Sequence, residues 1–351
     1  MTKVAVVASV VALAFASGCA KKNTASSDGD SSGSGDNCVE KDSSKKVGMA
    51  FDVGGRGDQS FNDSAYRGLQ KASCEFGLTV KTSEAQDGEA ESAREGRLRE
   101  FADAGFSPIV AVGFAYSPSV AKVAKEYPDV NFAIVDDEAA KGDNIANLVF
   151  AEEQGSFLVG VAAALKTKSD HVGFVGGVET PLIQKFEAGY VAGVKAVDPK
   201  IKIDRRYLTQ PPDFSGFGDP AKGKTAAAGM YDSGADIVYH AAGGSGGGVF
   251  EAAKAAGAKA IGVDSDQAKT ADPAVQDVIM TSMIKRVDVA VYNYLKAAEG
   301  GEVPTGVTRY DLAKNGVAYS TTGGQIDDIT DKLEEYKKKI VDGEITVPTK
   351  P

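Results

Sequence analysis

From residue 47 onward the chain switches repeatedly between short apolar runs of strand length and longer stretches with apolar residues at helical spacing. This alternation narrows the possible folds more than any other feature. Residues 47–53 form a strand-like run ending in glycines. Ser60 predicts a helix N-cap; Phe61, Ala65, Leu69, Ala72 and Phe76 then follow three and four apart, and Gly77 closes the helix. Residues 78–82, 108–113 and 130–135 read as further strands, with helices over 89–104 and 118–126. The pattern then repeats, with strands at 147–150, 171–175, 201–207, 236–240, 259–263 and 278–283, and helices at 155–166, 181–197, 220–233, 247–256 and 287–299. Strands alternating with helices predict parallel, doubly wound sheets, and two such series predict two similar α/β lobes. Ligands in this architecture bind beyond the carboxyl ends of the strands. The candidate site residues are therefore those directly after strands: Asp52, Gly113, Phe114, Asp136, Gly176, Gly177, Gly243, Gly244, Asp264 and Lys285.

The first 46 residues follow a different pattern. Lys3 precedes an apolar run at 4–15 broken only by Ser9, and Ala16, Ser17 and Gly18 lead to Cys19. This is a bacterial export signal over 1–18 ending in a lipobox-like site. The run is shorter than the ~20 residues needed to span a bilayer. Cys19 is expected to carry lipid, and residues 19–46, dominated by Ser, Gly, Asp and Lys, to form a flexible tether. The folded part would then stand on the extracytoplasmic face of the cell membrane, held by its lipid anchor. Three cysteines are present. With Cys19 modified, Cys38 and Cys74 remain in an oxidising compartment, either bridged, which would pin the tether to the first helix, or as two unrelated thiols.

Asp and Glu number 49 against 39 Lys and Arg, a net charge of -10. Nucleic acid is therefore not an expected partner, since phosphate needs a basic surface. His171 and His240 have no cysteine neighbours at ligand spacing, so no metal is expected; nor is a cofactor. Residues 218–225, GDPAKGKT, match a phosphate loop formally, but a loop precedes them and Pro220 sits where a backbone N–H is needed, so a helix N-terminus is the better reading. GGSGG at 243–247 has the form of a nucleophile elbow, yet both histidines precede Ser245, against the order that fold requires. A glycine turn approaching a ligand fits better.

Several stretches together resemble one family. These are Asp52-Val53-Gly54-Gly55, Ser60-Phe61-Asn62, Ala65-Tyr66-Arg67-Gly68-Leu69, Glu153-Gln154-Gly155-Ser156-Phe157-Leu158, residues 172–177, Pro181-Leu182-Ile183 with residues 185–190, His240 to Gly244, residues 261–267 and residues 281–288. In this order they resemble the basic membrane protein family of lipoproteins, which look like the purine-nucleoside receptors of bacterial ABC importers. The resemblance implies a type I periplasmic-binding-protein fold with a ligand cleft between two lobes. The first lobe would comprise 47–148 plus about 284–312, and the second 149–283 plus about 313–351. It implies Phe61 against one face of a purine and Phe186 against the other, with Tyr239 or Phe114 as alternatives. Asn62 and Asp136 would reach polar edges of the nucleoside, Asp264 and Lys285 would hold the ribose hydroxyls, Asp52 would line the cleft, and Gly243 or Gly244 would allow close backbone approach. Stacking of a base on an aromatic ring contributes roughly 1–3 kcal/mol. The function implied is reversible binding of adenosine, guanosine or inosine and delivery to ABC permease subunits, without turnover, by a monomer. The competing readings are a receptor for another small solute such as a sugar or signalling molecule, an extracellular hydrolase using Ser245, and an adhesion lipoprotein using Arg56-Gly57-Asp58. The absence of Trp mildly disfavours a sugar.

Overall fold

The computed structural model describes residues 38–351. The expected export signal, the lipidation site Cys19 and the first part of the tether lie outside them. The chain enters through β1 (Asp42–Phe51), then α1 (Phe61–Phe76), β2 (Leu78–Glu84), α2 (Glu91–Asp103), β3 (Ile109–Val112), α3 (Ser117–Glu126), β4 (Phe132–Val135) and β5 (Ile145–Phe150). It continues as α4 (Glu152–Lys166), β6 (His171–Val178), α5 (Pro181–Val197), β7 (Lys202–Thr209), α6 (Pro220–Asp232), β8 (Ile237–Ala241), α7 (Gly246–Ala256), β9 (Lys259–Asp264), the short α8 (Gln267–Thr270) and β10 (Ile279–Lys285). The last elements are α9 (Val287–Glu299), β11 (Gly306–Tyr310), β12 (Val317–Tyr319) and α10 (Thr330–Val341).

Two six-stranded sheets result. The first runs β2-β1-β3-β4-β5-β11 and the second β7-β6-β8-β9-β10-β12. All neighbours are parallel except β12, which runs antiparallel to β10. The two orders correspond strand for strand, so β1 matches β6, β3 matches β8, and β4 matches β9. Central strands are buried on both faces and carry unbroken apolar runs, IVAV in β3 and FAIV in β4, as parallel sheets covered by helices require. The chain passes between the sheets three times: after β5, after β10, and between β11 and β12.

Two differences from the sequence reading have physical causes. β1 begins at Asp42, inside the expected tether. That stretch is exposed but pairs through its main chain: Asp42 N–H donates to the Gly77 carbonyl at 2.8 Å, and Thr79 Oγ1 to the Asp42 carbonyl at 3.0 Å. Strand pairing of this kind needs no apolar side chains, and a disulfide joins Cys38 to Cys74 of α1 just before it. The second difference concerns the start of α1. Ser60 makes no capping bond. Asp58 caps instead, its carboxylate accepting the backbone N–H groups of Ser60, Asn62 and Asp63 at 2.8–3.1 Å. Asp58 is thus buried in a structural task, which removes the adhesion reading of Arg56-Gly57-Asp58.

Candidate functional site

One cavity collects the ends of strands from both sheets. Asp52 and Val53 follow β1, Gly113 and Phe114 follow β3, and Asp136 follows β4; Ala241, Gly243, Val263, Asp264 and Lys285 come from the second sheet. Phe61 and Asn62 enter from α1, and Ile183 and Phe186 from α5. The space is about 540 Å³ when the open solvent at its mouth is counted in.

Asp136 and Asp264 occupy equivalent places, just past β4 and at the end of β9, and both have φ of 64°. This left-handed region is disfavoured for most side chains but tolerated by aspartate. Both carboxylates converge on Lys285, which stands at the end of β10. Its Nζ donates to Asp136 Oδ2 at 2.5 Å and lies 3.7 Å from Asp264 Oδ1. The ammonium also lies 4.7 Å from the centre of the Phe61 ring and 5.3 Å from that of Phe186, a favourable cation–π arrangement. Burial works against a charged Lys285, but Asp136, Asp264 and Glu152 outweigh it and raise its pKa. Burial raises that of Asp264 against the pull of Lys285. Asp136 Oδ1 and Asp264 Oδ1 are buried without a hydrogen-bond partner. Such oxygens are costly unless a donor reaches them.

The opposite wall is built on Asp52. One of its oxygens accepts the Val53 N–H at 2.8 Å, and its own N–H donates to Asn62 Oδ1 at 3.2 Å. Burial pushes its carboxyl up to about 6. Its second oxygen lies so close to Gly113 that a Cβ there would stand 2.2 Å from it. Asn62 is held between Asp52 and Asp58, to which its Nδ2 donates at 3.2 Å.

Aromatic rings close the space. Phe61, Phe114, Phe186 and Phe217 all line it. Phe114 belongs to the first lobe and makes edge contacts across the cleft with Phe214 and Phe217, at 5.9 and 6.4 Å. Phe217 was not singled out from the sequence; it ends a single 3₁₀ turn, Ser215–Phe217, and its only local signal is the pair Gly176-Gly177. A Cβ on Gly177 would meet its ring at 2.5 Å. Tyr239 is not on the wall: it is fully buried and its hydroxyl bonds Ser156 Oγ at 3.1 Å, which removes it as a stacking candidate. Gly243 lines the cavity with φ of 53°, whereas Gly244 does not line it.

The lobes touch directly. Ser60 Oγ donates to Asp264 Oδ2 at 2.7 Å, Ser265 Oγ donates to the Ser60 carbonyl at 2.9 Å, and Arg67 donates to Ser265 Oγ at 2.8 Å. Ser245 is buried and engaged, donating to the Gly216 carbonyl at 2.7 Å and accepting from the Asp219 N–H at 2.8 Å. It is not available as a nucleophile. Asp219 caps α6, so the phosphate-loop match is a helix N-terminus.

Two α/β lobes of one strand order, linked by three crossings and facing each other over an acidic, ring-lined cleft, define a solute-binding protein of the type I periplasmic-binding-protein fold. Residues 45–351 match the family described as ABC transporter substrate-binding protein, PnrA-like, also called Bmp, and the chain belongs to that family. It is 40% identical over 325 residues to the "CD4+ T-cell-stimulating antigen" of Listeria monocytogenes, covering 87% of this chain and 88% of the relative. It is 35% identical over 320 residues to the "ABC transporter nucleoside-binding protein BmpA" of Lactococcus lactis, covering 87% and 89%. Among solved structures, an ABC transporter solute-binding protein from Aeropyrum pernix K1 superposes with a TM-score of 0.75 at 30% identity, covering 87% of this chain and 93% of the other. Proteins of this family bind solute for an importer and are not enzymes.

Proposed function

We propose that the protein is an extracytoplasmic lipoprotein that binds purine nucleosides in the interlobe cleft and delivers them to the permease subunits of an ABC importer, acting as a monomer anchored through Cys19. The observation that carries this reading is the combination, in one cavity, of phenyl rings with two buried aspartate oxygens lacking a donor. A purine offers flat apolar faces to rings, and a ribose offers adjacent hydroxyls to carboxylates, where charge-assisted bonds are about twice as strong as neutral ones. The relative named as nucleoside-binding supports the same solute class. Phe61 and Phe186 are the assigned base contacts, with Phe114 and Phe217 completing the aromatic lining. Asp264, Asp136 and Lys285 take the ribose side, and Asp52 with Asn62 the remaining polar edge.

Calorimetric titration of the mature chain, stripped of bound solute by unfolding and refolding, tests this. Adenosine, guanosine and inosine should bind in the nanomolar to micromolar range, about 8–12 kcal/mol, while cytidine and ribose bind more weakly. A folded sample that binds none of the purine nucleosides refutes the reading. Metabolic labelling with palmitate, lost in Cys19→Ser, tests the anchor.

A further inference from the structure

Glu152 stands behind the cleft, in the first turn of α4, with 1% of its surface exposed. It completes a cluster in which three carboxylates, Asp136, Asp264 and Glu152, surround the single ammonium of Lys285. With all groups charged, Lys285 offsets only one of the three. Lys185 of α5, partly exposed, approaches Glu152 Oε2 at 3.7 Å and offsets a second. One negative charge remains uncompensated in a buried place, which is costly.

The three carboxylates differ in what reaches them. Asp136 accepts from Lys285 at 2.5 Å and Asp264 from Ser60 at 2.7 Å. Glu152 has Lys185 at 3.7 Å and Lys285 at 4.0 Å, both beyond hydrogen-bond reach, and its Oε2 is buried without a hydrogen-bond partner. Donors stabilise the ionised form, so the proton belongs on the carboxyl with the fewest. We propose that Glu152 is a positioning residue for the cleft: it carries the proton of this cluster, which leaves Lys285 turned toward Asp136 and leaves Asp136 and Asp264 as acceptors for the solute.

The groups around Glu152 set the direction. Burial raises its pKa to about 8; Lys285 from β10 and Lys185 from α5 oppose this, and Asp136 beyond β4 reinforces it. Its own backbone N–H and the N-terminal end of α4 also favour an ionised Glu152, without outweighing burial. Asp264 at the end of β9 and Tyr239 of β8, whose hydroxyl is held by Ser156, complete the surroundings, and Glu153 beside it pairs with Arg309 of β11 at 3.4 Å. Once Glu152 ionises, it competes with Asp136 for Lys285 and adds a charge behind the acceptors that face the solute.

This inference rests on the nucleoside reading for its effect on affinity, but its central claim can be tested without any solute. The mature chain is labelled with carbon-13 at the glutamate carboxyl and titrated by NMR from pH 4 to 10. One glutamate resonance with a midpoint near 8, absent in Glu152→Gln, is the expected result; glutamate resonances that all titrate below pH 6 overturn the proposal. Glu152→Ala serves for assignment if the glutamine variant does not fold. In the second arm, the affinity for adenosine, whose base does not ionise between about pH 5 and 10, is measured across the same range. Where Glu152 must be protonated for tight binding, a midpoint near 8 weakens wild-type affinity about tenfold between pH 7 and 9, while Glu152→Gln stays flat. Binding that is equally flat in both proteins overturns the positioning role. Failure of both proteins to bind any nucleoside overturns the functional reading instead, and the NMR midpoint still decides where the proton resides.

Discussion

Replacing Gly113 by alanine isolates the wall of the cleft. Gly113 has φ of 102°, where a side chain costs about 1–3 kcal/mol. A Cβ at this position would also stand 2.2 Å from Asp52 Oδ2, 2.8 Å from its Cγ and 2.9 Å from its Cβ. No real contact of that length survives, so the Asp52 carboxylate must swing away, losing its bond to the Val53 N–H and its place in the cavity. Gly57 supplies the control: its φ is 94°, yet a Cβ there meets nothing within 4 Å. Gly57→Ala should therefore lose about 1–3 kcal/mol of stability with unchanged solute affinity. Gly113→Ala should lose at least as much stability and also the Asp52 contact. A hydrogen bond to a charged group contributes about 1.5–3 kcal/mol, a loss of about ten- to a hundredfold in affinity. Urea unfolding and calorimetric titration of both variants measure the two quantities. Wild-type inosine affinity in Gly113→Ala would show that Asp52 does not contact the solute and refute the reasoning.

Ser60→Ala removes the bond to Asp264 across the lobes and should weaken nucleoside binding about tenfold, with small-angle scattering showing a more open solute-bound form; unchanged affinity and shape would mean the contact does not support closure. Lys285→Met leaves the surrounding carboxylates without their cation and should cost about 3–5 kcal/mol, read as a lower urea midpoint together with lost binding. Reduction of the Cys38–Cys74 bridge, 36 residues apart in sequence, should cost about 4 kcal/mol by the chain-entropy relation, seen as a lower Tm in dithiothreitol that Cys38→Ser with Cys74→Ser reproduces. Burial lowers His240 to about 4 from a usual value of 6.5. The folded protein therefore binds fewer protons than the unfolded chain between these values, and stability present above pH 6.5 is lost as pH falls toward 4, by up to about 3 kcal/mol. His240→Asn should flatten that part of the stability profile in urea titrations at pH 7 and 4.5.

The positions of Asp52, Asp136, Asp264 and Lys285 were legible because the chemistry of an α/β sheet gathers at strand ends, and strand ends can be read from apolar runs that stop at Gly or Asp. The grouping of Asp136 and Asp264 around one lysine was not, since it depends on how two sheets face each other. Ser60 shows the limit of local rules: it has the residue type of an N-cap, but Asp58, two positions earlier, reaches the helix N–H groups and frees Ser60 to bond Asp264. Phe217 escaped because a single 3₁₀ turn is too short to show a periodicity. β11 and β12 escaped because they are short and part-exposed and owe their state to the strands beside them. Glu152 reads as one of two acidic residues opening a helix, a common pattern, and only its burial beside Lys285 distinguishes it.

The bridge between Cys38 and Cys74 has a mechanical consequence. It ties the chain entering the fold to α1, and β1 continues directly into the first sheet. Any load applied upstream of Cys38 is therefore received by the first lobe through two covalent routes and reaches the second lobe only through the three crossings and the cleft itself. If such a load comes from an anchor at the bilayer, the first lobe is the stator and the second the moving jaw. Opening for release then swings one half of the receptor past a fixed half, and a permease that grips the second lobe can do work on the cleft without pulling against the membrane attachment.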